Sequence, residues 1–392
     1  MQSNALTTLT ILLAALPSCR ALAAASPATD SIAPPAGRRA DPNEPFHVVL
    51  WPGGTRIPSI DITNSGTLLA FAQKGGGDLH PNFVEMRRST DGGKTWARAV
   101  DMNNGKKINH ANIAPIVDRQ TGKVWVFFGE RVLNSEQRAY WLKYCHSDDD
   151  GLTWSNPETL NIDGKFVVGL PSCNRGIQLS TGRLLLPFTI NGLPRTIYSD
   201  DHGKSWKFGA FPADSKSWRS VGSSEHAMLE LADGRVYMNH RHSGHRAACR
   251  VAAFSDDGGM TWSSAVRQKD LPQPPNGCHS GLVRLTHPER DGKSRILYSS
   301  PWFGPDGKFV PKDMGRQNLT VQISYDECKT WKPLKRLWEG SSVYSNLIVL
   351  PDKSIGCIFE SNKPRWQTVH FARFTLDWLT DGQDKILSTH DR

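Results

Sequence analysis

One eight-residue pattern recurs five times in this chain and limits what it can fold into. The copies read STDGGKTW from Ser89, SDDDGLTW from Ser147, SDDHGKSW from Ser199, SDDGGMTW from Ser255 and SYDECKTW from Ser324. Their shared core is Ser-x-Asp-x-Gly-x-Thr/Ser-Trp, with Cys328 in place of the glycine in the last copy. Successive copies start 58, 52, 56 and 69 residues apart. A fixed motif at that spacing marks a repeated supersecondary unit. Each copy couples turn-forming residues to a tryptophan that can pack between strands. Such a unit is too short for a domain and too long for a hairpin, and it suits one four-stranded blade of a propeller.

Strand-length apolar or alternating runs fill the intervals. They include Thr67–Ala72, Val124–Phe128, Arg183–Phe188, Val236–Asn239, Val251–Phe254, Ile296–Ser299 and Ser354–Phe359. Many follow a glycine turn, as at Ser65-Gly66, Thr121-Gly122, Thr181-Gly182 and Asp233-Gly234. No long amphipathic helix stands out. From Phe46 to Phe374 the chain runs 329 residues, which at roughly 50 to 60 residues per blade gives about six blades. The expected fold class is therefore all-β, a six-bladed β-propeller over residues 44–392. The longest interval leaves room for an inserted loop at 301–315. The repeated aspartates and serines are expected to bond turn amides and the tryptophans to fill the blades. Cys328 predicts a distorted last turn.

The N-terminus reads as an export signal. An apolar stretch around Leu9 to Leu16 precedes Ala21-Leu22-Ala23-Ala24-Ala25, an A-x-A-like cleavage region. Residues 1–25 are assigned as a signal peptide and 26–43 as a disordered lead-in. Lipoprotein processing at Cys19 is the less favoured alternative to a periplasmic or secreted product. The apolar stretch is too short to span a bilayer. The six cysteines beyond the signal have wide spacings and no metal-ligand pattern, so buried thiols, with at most a bridge or two, are expected. No metal and no cofactor are expected, and a monomer is. The formal net charge is +9, yet no Lys/Arg run or nucleic-acid motif accompanies it. A basic site receiving an anionic small molecule accounts for that charge as well as nucleic acid would.

The repeats resemble the Asp-boxes of sialidases, the exo-α-sialidase glycoside hydrolases. Other segments resemble that family too. Arg56-Ile57-Pro58, followed by Gly66-Thr67-Leu68-Leu69-Ala70-Phe71-Ala72, is similar to the family's first blade. Arg250 lies five residues before the serine of the fourth box, and Arg316 eight before that of the last. The resemblance implies that Arg56, Arg250 and Arg316 clamp a substrate carboxylate. Arginine suits that task because it stays charged and offers paired planar donors. Ser342-Val343-Tyr344-Ser345 matches the family's tyrosine segment, Glu225 matches the glutamate that activates the tyrosine, and Glu360 would hold Arg56. Asp78, in a glycine-rich loop after the first-blade strand, is the implied general acid, with Asp61 as fallback. Where many relatives carry a further arginine, this chain has Gln73-Lys74-Gly75.

Chemistry is consistent with those roles. A sialic acid bears a carboxylate on its anomeric carbon, which would repel a carboxylate nucleophile. A neutral phenol with a base beside it avoids that repulsion. The implied activity is release of terminal sialic acids from sialylated glycans, with retention, through a covalent tyrosyl-sugar intermediate. The Gln73-Lys74 departure keeps a related ulosonic acid (Kdn or Kdo) open as the sugar. A non-catalytic carbohydrate-binding propeller, and transfer in place of hydrolysis, also remain open at this level.

Overall fold

The computed structural model describes residues 45–75, 82–102, 105, 110–132, 139–212, 214, 218, 225–243, 249–274, 277–301, 315–362 and 367–386, and the backbone of 22–23. The remainder of the expected leader and lead-in lies outside the described residues, as do most of the expected 301–315 insertion and Asp78 with its loop. Two short helices, Pro288–Asp291 and Leu376–Leu379, lie among the described residues, and Trp218 has a helical backbone. No helix there is long and apolar enough to cross a membrane.

The strands build six antiparallel blades around one axis. Blade one comprises Thr55–Ile62, Leu68–Lys74, Phe83–Ser89 and Val100–Asp101. Blade two comprises His110–Val117, Val124–Arg131, Tyr140–Ser147 and Glu158–Thr159. Blade three holds Ile177–Gln178, Leu184–Ile190, Leu193–Ser199 and Lys207–Phe208, with Leu170–Pro171 added beside Leu184–Ile190. His226–Glu230, Val236–His240, Cys249–Ser255 and Val266–Pro272 form blade four, and Gly281–Thr286, Arg295–Pro301, Gln317–Ser324 and Lys332–Ser341 form blade five. Blade six closes the ring. Its inner three strands are Ser345–Val349, Ile355–Ser361 and Thr368–Phe374, and its outer strand is Phe46–Trp51 from the other end of the chain. The seven strand-length runs read from sequence all fall on strands of these blades.

The repeated motif works as the sequence suggests. In every copy the serine hydroxyl bonds the aspartate and accepts the backbone N–H four residues on. The aspartate in turn accepts from the threonine or serine hydroxyl at 2.6 Å in all five. Each tryptophan is buried and packs toward the preceding blade. Trp96 meets Phe371 at 5.3 Å, Trp154 meets Phe71 at 5.9 Å and Trp206 meets Phe127 at 5.1 Å. The motif thus stitches blade to blade. Its glycine is needed for space as well as conformation: Gly93 has φ +88°, and a Cβ there would lie 2.2 Å from the Phe371 ring.

Cys328 corrects one expectation. Its turn keeps the full bond pattern, with Cys328 N donating to Ser324 Oγ at 2.9 Å and Thr330 N to Asp326 at 2.9 Å. The backbone reaches the left-handed region without glycine, at φ +65°. The cost of that conformation is offset by burial of the thiol beside Tyr237, Tyr298 and Trp331. All six described cysteines are free and buried, so no disulfide forms among them.

The innermost strands face one another around the axis. Arg56, His110, Glu225, Cys278 and Tyr344 stand at or just before the starts of five of them. One end of the tunnel therefore collects these side chains, whatever their separation in sequence.

Candidate active site

Tyr344 is the centre of the cluster. It precedes Ser345–Val349, and its ring is buried against Ile57, Cys173 and Cys278. Its hydroxyl donates to Glu225 Oε1 in a short hydrogen bond. Arg241 Nη1 reaches both atoms, at 2.7 Å from Glu225 Oε1 and 3.0 Å from the Tyr344 oxygen. The guanidinium carbons of Arg56 and Arg316 lie 5.9 and 6.0 Å from the centre of the same ring. Three arginines thus surround one tyrosine and one carboxylate.

Each group is held from behind. Glu360 is buried; it lies 3.6 Å from Arg56 Nε and accepts the N–H of Ile57. Ile57 has φ +53°, a conformation that costs a β-branched residue energy. The Glu360 contact and the strand bulge between Arg56 and Ser59 hold it there. Glu360 N also donates to Tyr344 O at 2.9 Å, which fixes the tyrosine beside that pair. Arg316 donates to the Gly277 carbonyl at 2.9 Å.

Arg250 is not brought to this cluster, which corrects the expected trio. Its side chain is fully buried. It donates to Asn239 Oδ1 at 2.7 Å and to the Cys278 carbonyl at 2.6 Å. Arg250 therefore anchors the same 277–278 segment that Arg316 leans on. Replacing Arg250 with leucine leaves buried acceptors unpaired, and should lower stability by about 2–4 kcal/mol, read as a fall in thermal midpoint. Retention of the wild-type midpoint would count against this anchoring role.

Arg241 takes the place expected for Arg250, and offset counting missed it. Pairing would have found it. The Asp233-Gly234 turn sets His226 opposite His240, so Glu225 and Arg241 come opposite each other, with Arg241 N donating to Glu225 O at 2.9 Å. The residues of the Gln73-Lys74 departure are turned to backbone. Gln73 donates to the His110 carbonyl and Lys74 to the Gly53 carbonyl, each at 2.7 Å. Asp61, the fallback acid, sits toward the opposite end of the strand that begins beside Arg56, and pairs with Arg119 at 3.2 Å. That pairing removes it from the reacting cluster.

Electrostatics define the resting state. Burial alone would push the Glu225 carboxyl up, but Arg241, His279 and the tyrosine hydrogen bond outweigh it and hold the pKa at about 2. Burial and the adjacent carboxylate push the Tyr344 phenol well above its ordinary value. The tyrosine is therefore protonated and its neighbour is a carboxylate.

Behind this pair lie three buried histidines. His226 and His240 stack with ring centres 5.3 Å apart, and His279 packs against Tyr344 at 5.5 Å. Burial, with nearby cations, pushes His240 to about 3, His279 to about 4 and His226 well below its usual range. Each folded pKa lies below the free-chain value of about 6.5. The unfolded chain then binds more protons below that pH, and stability falls as pH drops from about 6.5 toward 4. Thermal melts across that window should show a falling midpoint; a flat profile would count against neutral burial of these rings.

Residues 66–357 match the family described as a BNR repeat-like domain. The sialidase of Micromonospora viridifaciens is 30% identical over 357 residues, covering 83% of this chain and 52% of the relative. The sialidase of Clostridium perfringens is 31% identical, covering 69% of this chain and 75% of the relative. A solved Hadza microbial sialidase, Hz136, superposes with a TM-score of 0.69 at 25% identity, covering 83% of this chain and 66% of that one. This chain spans 52% and 60% of the length of the Micromonospora and Bacteroides fragilis sialidases.

Proposed function

We propose, for a chain that belongs to the BNR-repeat sialidase family, that it is an exo-α-sialidase releasing terminal sialic acids from glycans with retained configuration. The observation that carries this reading is the triangle of Tyr344, Glu225 and Arg241 at 2.7 and 3.0 Å, ringed by Arg56 and Arg316. It supplies a nucleophile, a base and an anion clamp within one hydrogen-bonded group.

The proposed sequence of events starts with the clamp. The substrate carboxylate docks between Arg56, Arg241 and Arg316, which sets the anomeric carbon against the Tyr344 oxygen. In doing so it draws Arg241 from Glu225. The carboxylate then loses the cation that suppressed its basicity and takes the phenol proton. The phenolate oxygen bonds the anomeric carbon as the bond to the aglycone oxygen breaks, and Asp78 protonates that leaving oxygen. Water, deprotonated by Asp78, then attacks the same carbon from the vacated side. The tyrosyl bond breaks, and the phenolate recovers its proton from Glu225. Two inversions give net retention.

A panel of fluorogenic Neu5Ac, Kdn and Kdo glycosides tests both activity and sugar. Turnover of the Neu5Ac glycoside with release of the α-anomer is expected. Preference for Kdn or Kdo would shift the substrate within the same mechanism, and binding without any turnover would leave a carbohydrate-binding propeller.

A further inference from the structure

Blade two carries an element that no blade requires. Between its outer strand and blade three, Asn161–Ile162 and Lys165–Phe166 form a separate hairpin around Asp163 and Gly164, whose φ values are +52° and +78°. The hairpin is fastened at its base: Leu142 N donates to Val167 O at 2.9 Å, and Gly169 N to Tyr140 O at 2.9 Å. Ile162 and Val167 are buried in the core between blades two and three. Phe166 is turned outward. It is 60% exposed, the most exposed of the large hydrophobic side chains among the described residues. Its ring stands edge to face against half-buried Trp141, with centres 6.0 Å apart and planes at 74°.

The register fixes which end of the propeller this pair occupies. His110 is paired with Glu130, Glu130 with Trp141, and Trp141 with Val168. That row crosses blade two from the axis to the rim. His110 begins the innermost strand, at the same end as Arg56, Glu225 and Tyr344. Trp141 stands two strand spacings outward from it, about 10 Å. The aromatic pair is therefore on the tyrosine face, beside the mouth. Between it and the axis lies the Glu130 carboxylate with Lys143 at 3.8 Å, a polar stretch suited to sugar hydroxyls.

We propose that Phe166 and Trp141 form a platform for the leaving part of the substrate, stacking the apolar face of a sugar ring in an oligosaccharide attached to the released residue. Resting on the function proposed above, this assigns the occupant by continuity: a terminal sugar bound at the axis must send its aglycone outward across this face. Apolar sugar faces stack on exposed aromatic rings, and an outward phenylalanine held by its own hairpin offers such a surface without reorganisation.

The test compares two substrates in Phe166→Ala, Phe166→Trp and the parent protein. One is a sialoside with a small fluorogenic aglycone, the other a sialylated linear pentasaccharide. Phe166→Ala should raise KM for the pentasaccharide about fivefold, leave its kcat within twofold, and leave the small substrate unchanged. Phe166→Trp should restore the parent KM. An equal change for both substrates, or no change for either, would overturn the platform. If the parent turns over neither substrate, the enzymatic reading fails by itself. NMR titration of the asialo oligosaccharide then decides the platform alone: binding lost in Phe166→Ala supports it, and binding unaffected overturns it. Self-association that depends on Phe166, measured by sedimentation, would also overturn it by assigning the ring to a contact between copies.

Discussion

Tyr344→Phe should lower kcat/KM on an oligosaccharide sialoside by about 10³-fold or more, because it removes the oxygen proposed to attack and leaves the rest of the cluster in place. The phenylalanine ring keeps the packing against Ile57, Cys173 and Cys278. Glu225 retains Arg241 at 2.7 Å, so no carboxylate is stranded. The thermal midpoint should therefore move by only a few degrees, while binding of a sialic-acid product analogue persists. Acid-quenched parent enzyme should yield a peptide containing Tyr344 with one added sugar mass, absent from the variant. Full activity in Tyr344→Phe would exclude the tyrosine as nucleophile. Equal loss of binding and turnover would point to a collapsed site in place of a missing atom.

Arg241→Leu should be nearly as damaging, at about 10²- to 10³-fold in kcat/KM, since it removes one arm of the proposed anion clamp. It makes a second, sharper prediction. Arg241 is the largest of the influences that hold the Glu225 carboxyl at about 2 against the upward push of burial. Without it the carboxyl should titrate above its ordinary range. In the parent, the substrate carboxylate competes for the same guanidinium, so the Glu225 pKa should rise on binding. A group whose pKa rises takes up protons between its old and new values. Binding of a carboxylate sugar near pH 4 should thus be accompanied by net proton uptake, seen by calorimetry in buffers of different ionisation heat. Uptake should vanish near pH 7 and in Glu225→Gln. For the same reason the acid limb of kcat should lie at higher pH than that of kcat/KM, because the first reports the complex and the second the free enzyme. Coincident limbs, or no uptake at pH 4, would mean that Arg241 stays on Glu225 throughout.

The two arginines, Arg241 and Arg250, show how far the sequence could be read. The five boxes were legible because their chemistry is local: a serine, an aspartate and a threonine bond within eight residues of each other. Tyr344, Glu225, Arg56, Arg316 and Glu360 were legible only through resemblance, and the structure gathers them from four blades. Arg250 was placed by its distance from a box, but such an offset does not say which way a strand residue points. It points into the blade, to Asn239 and the Cys278 carbonyl. The signal for Arg241 is a pairing: it depends on where the hairpin turns and which residues then oppose. The closing strand was likewise hidden. Nothing local in Phe46–Trp51 announces that it will pair with Thr368–Phe374. Cys328 departs from expectation in the other direction, because burial of its side chain sustains a backbone shape usually left to glycine.

That closing strand makes activity an all-or-nothing report on the whole chain. Phe46–Trp51 acts as a latch between the two ends, and Trp51 adds a bond to Glu85 of the next blade at 2.8 Å. The blade it completes supplies Tyr344 and Glu360; the blade beyond it supplies Arg56. The proposed nucleophile and one arm of the proposed clamp thus sit on either side of the seam where the ring is sealed. A molecule whose latch has slipped should lose the alignment of Tyr344 and Glu360 with Arg56. On the proposed function, loss of Phe46–Trp51 should silence the protein abruptly where loss of a peripheral turn would only weaken it.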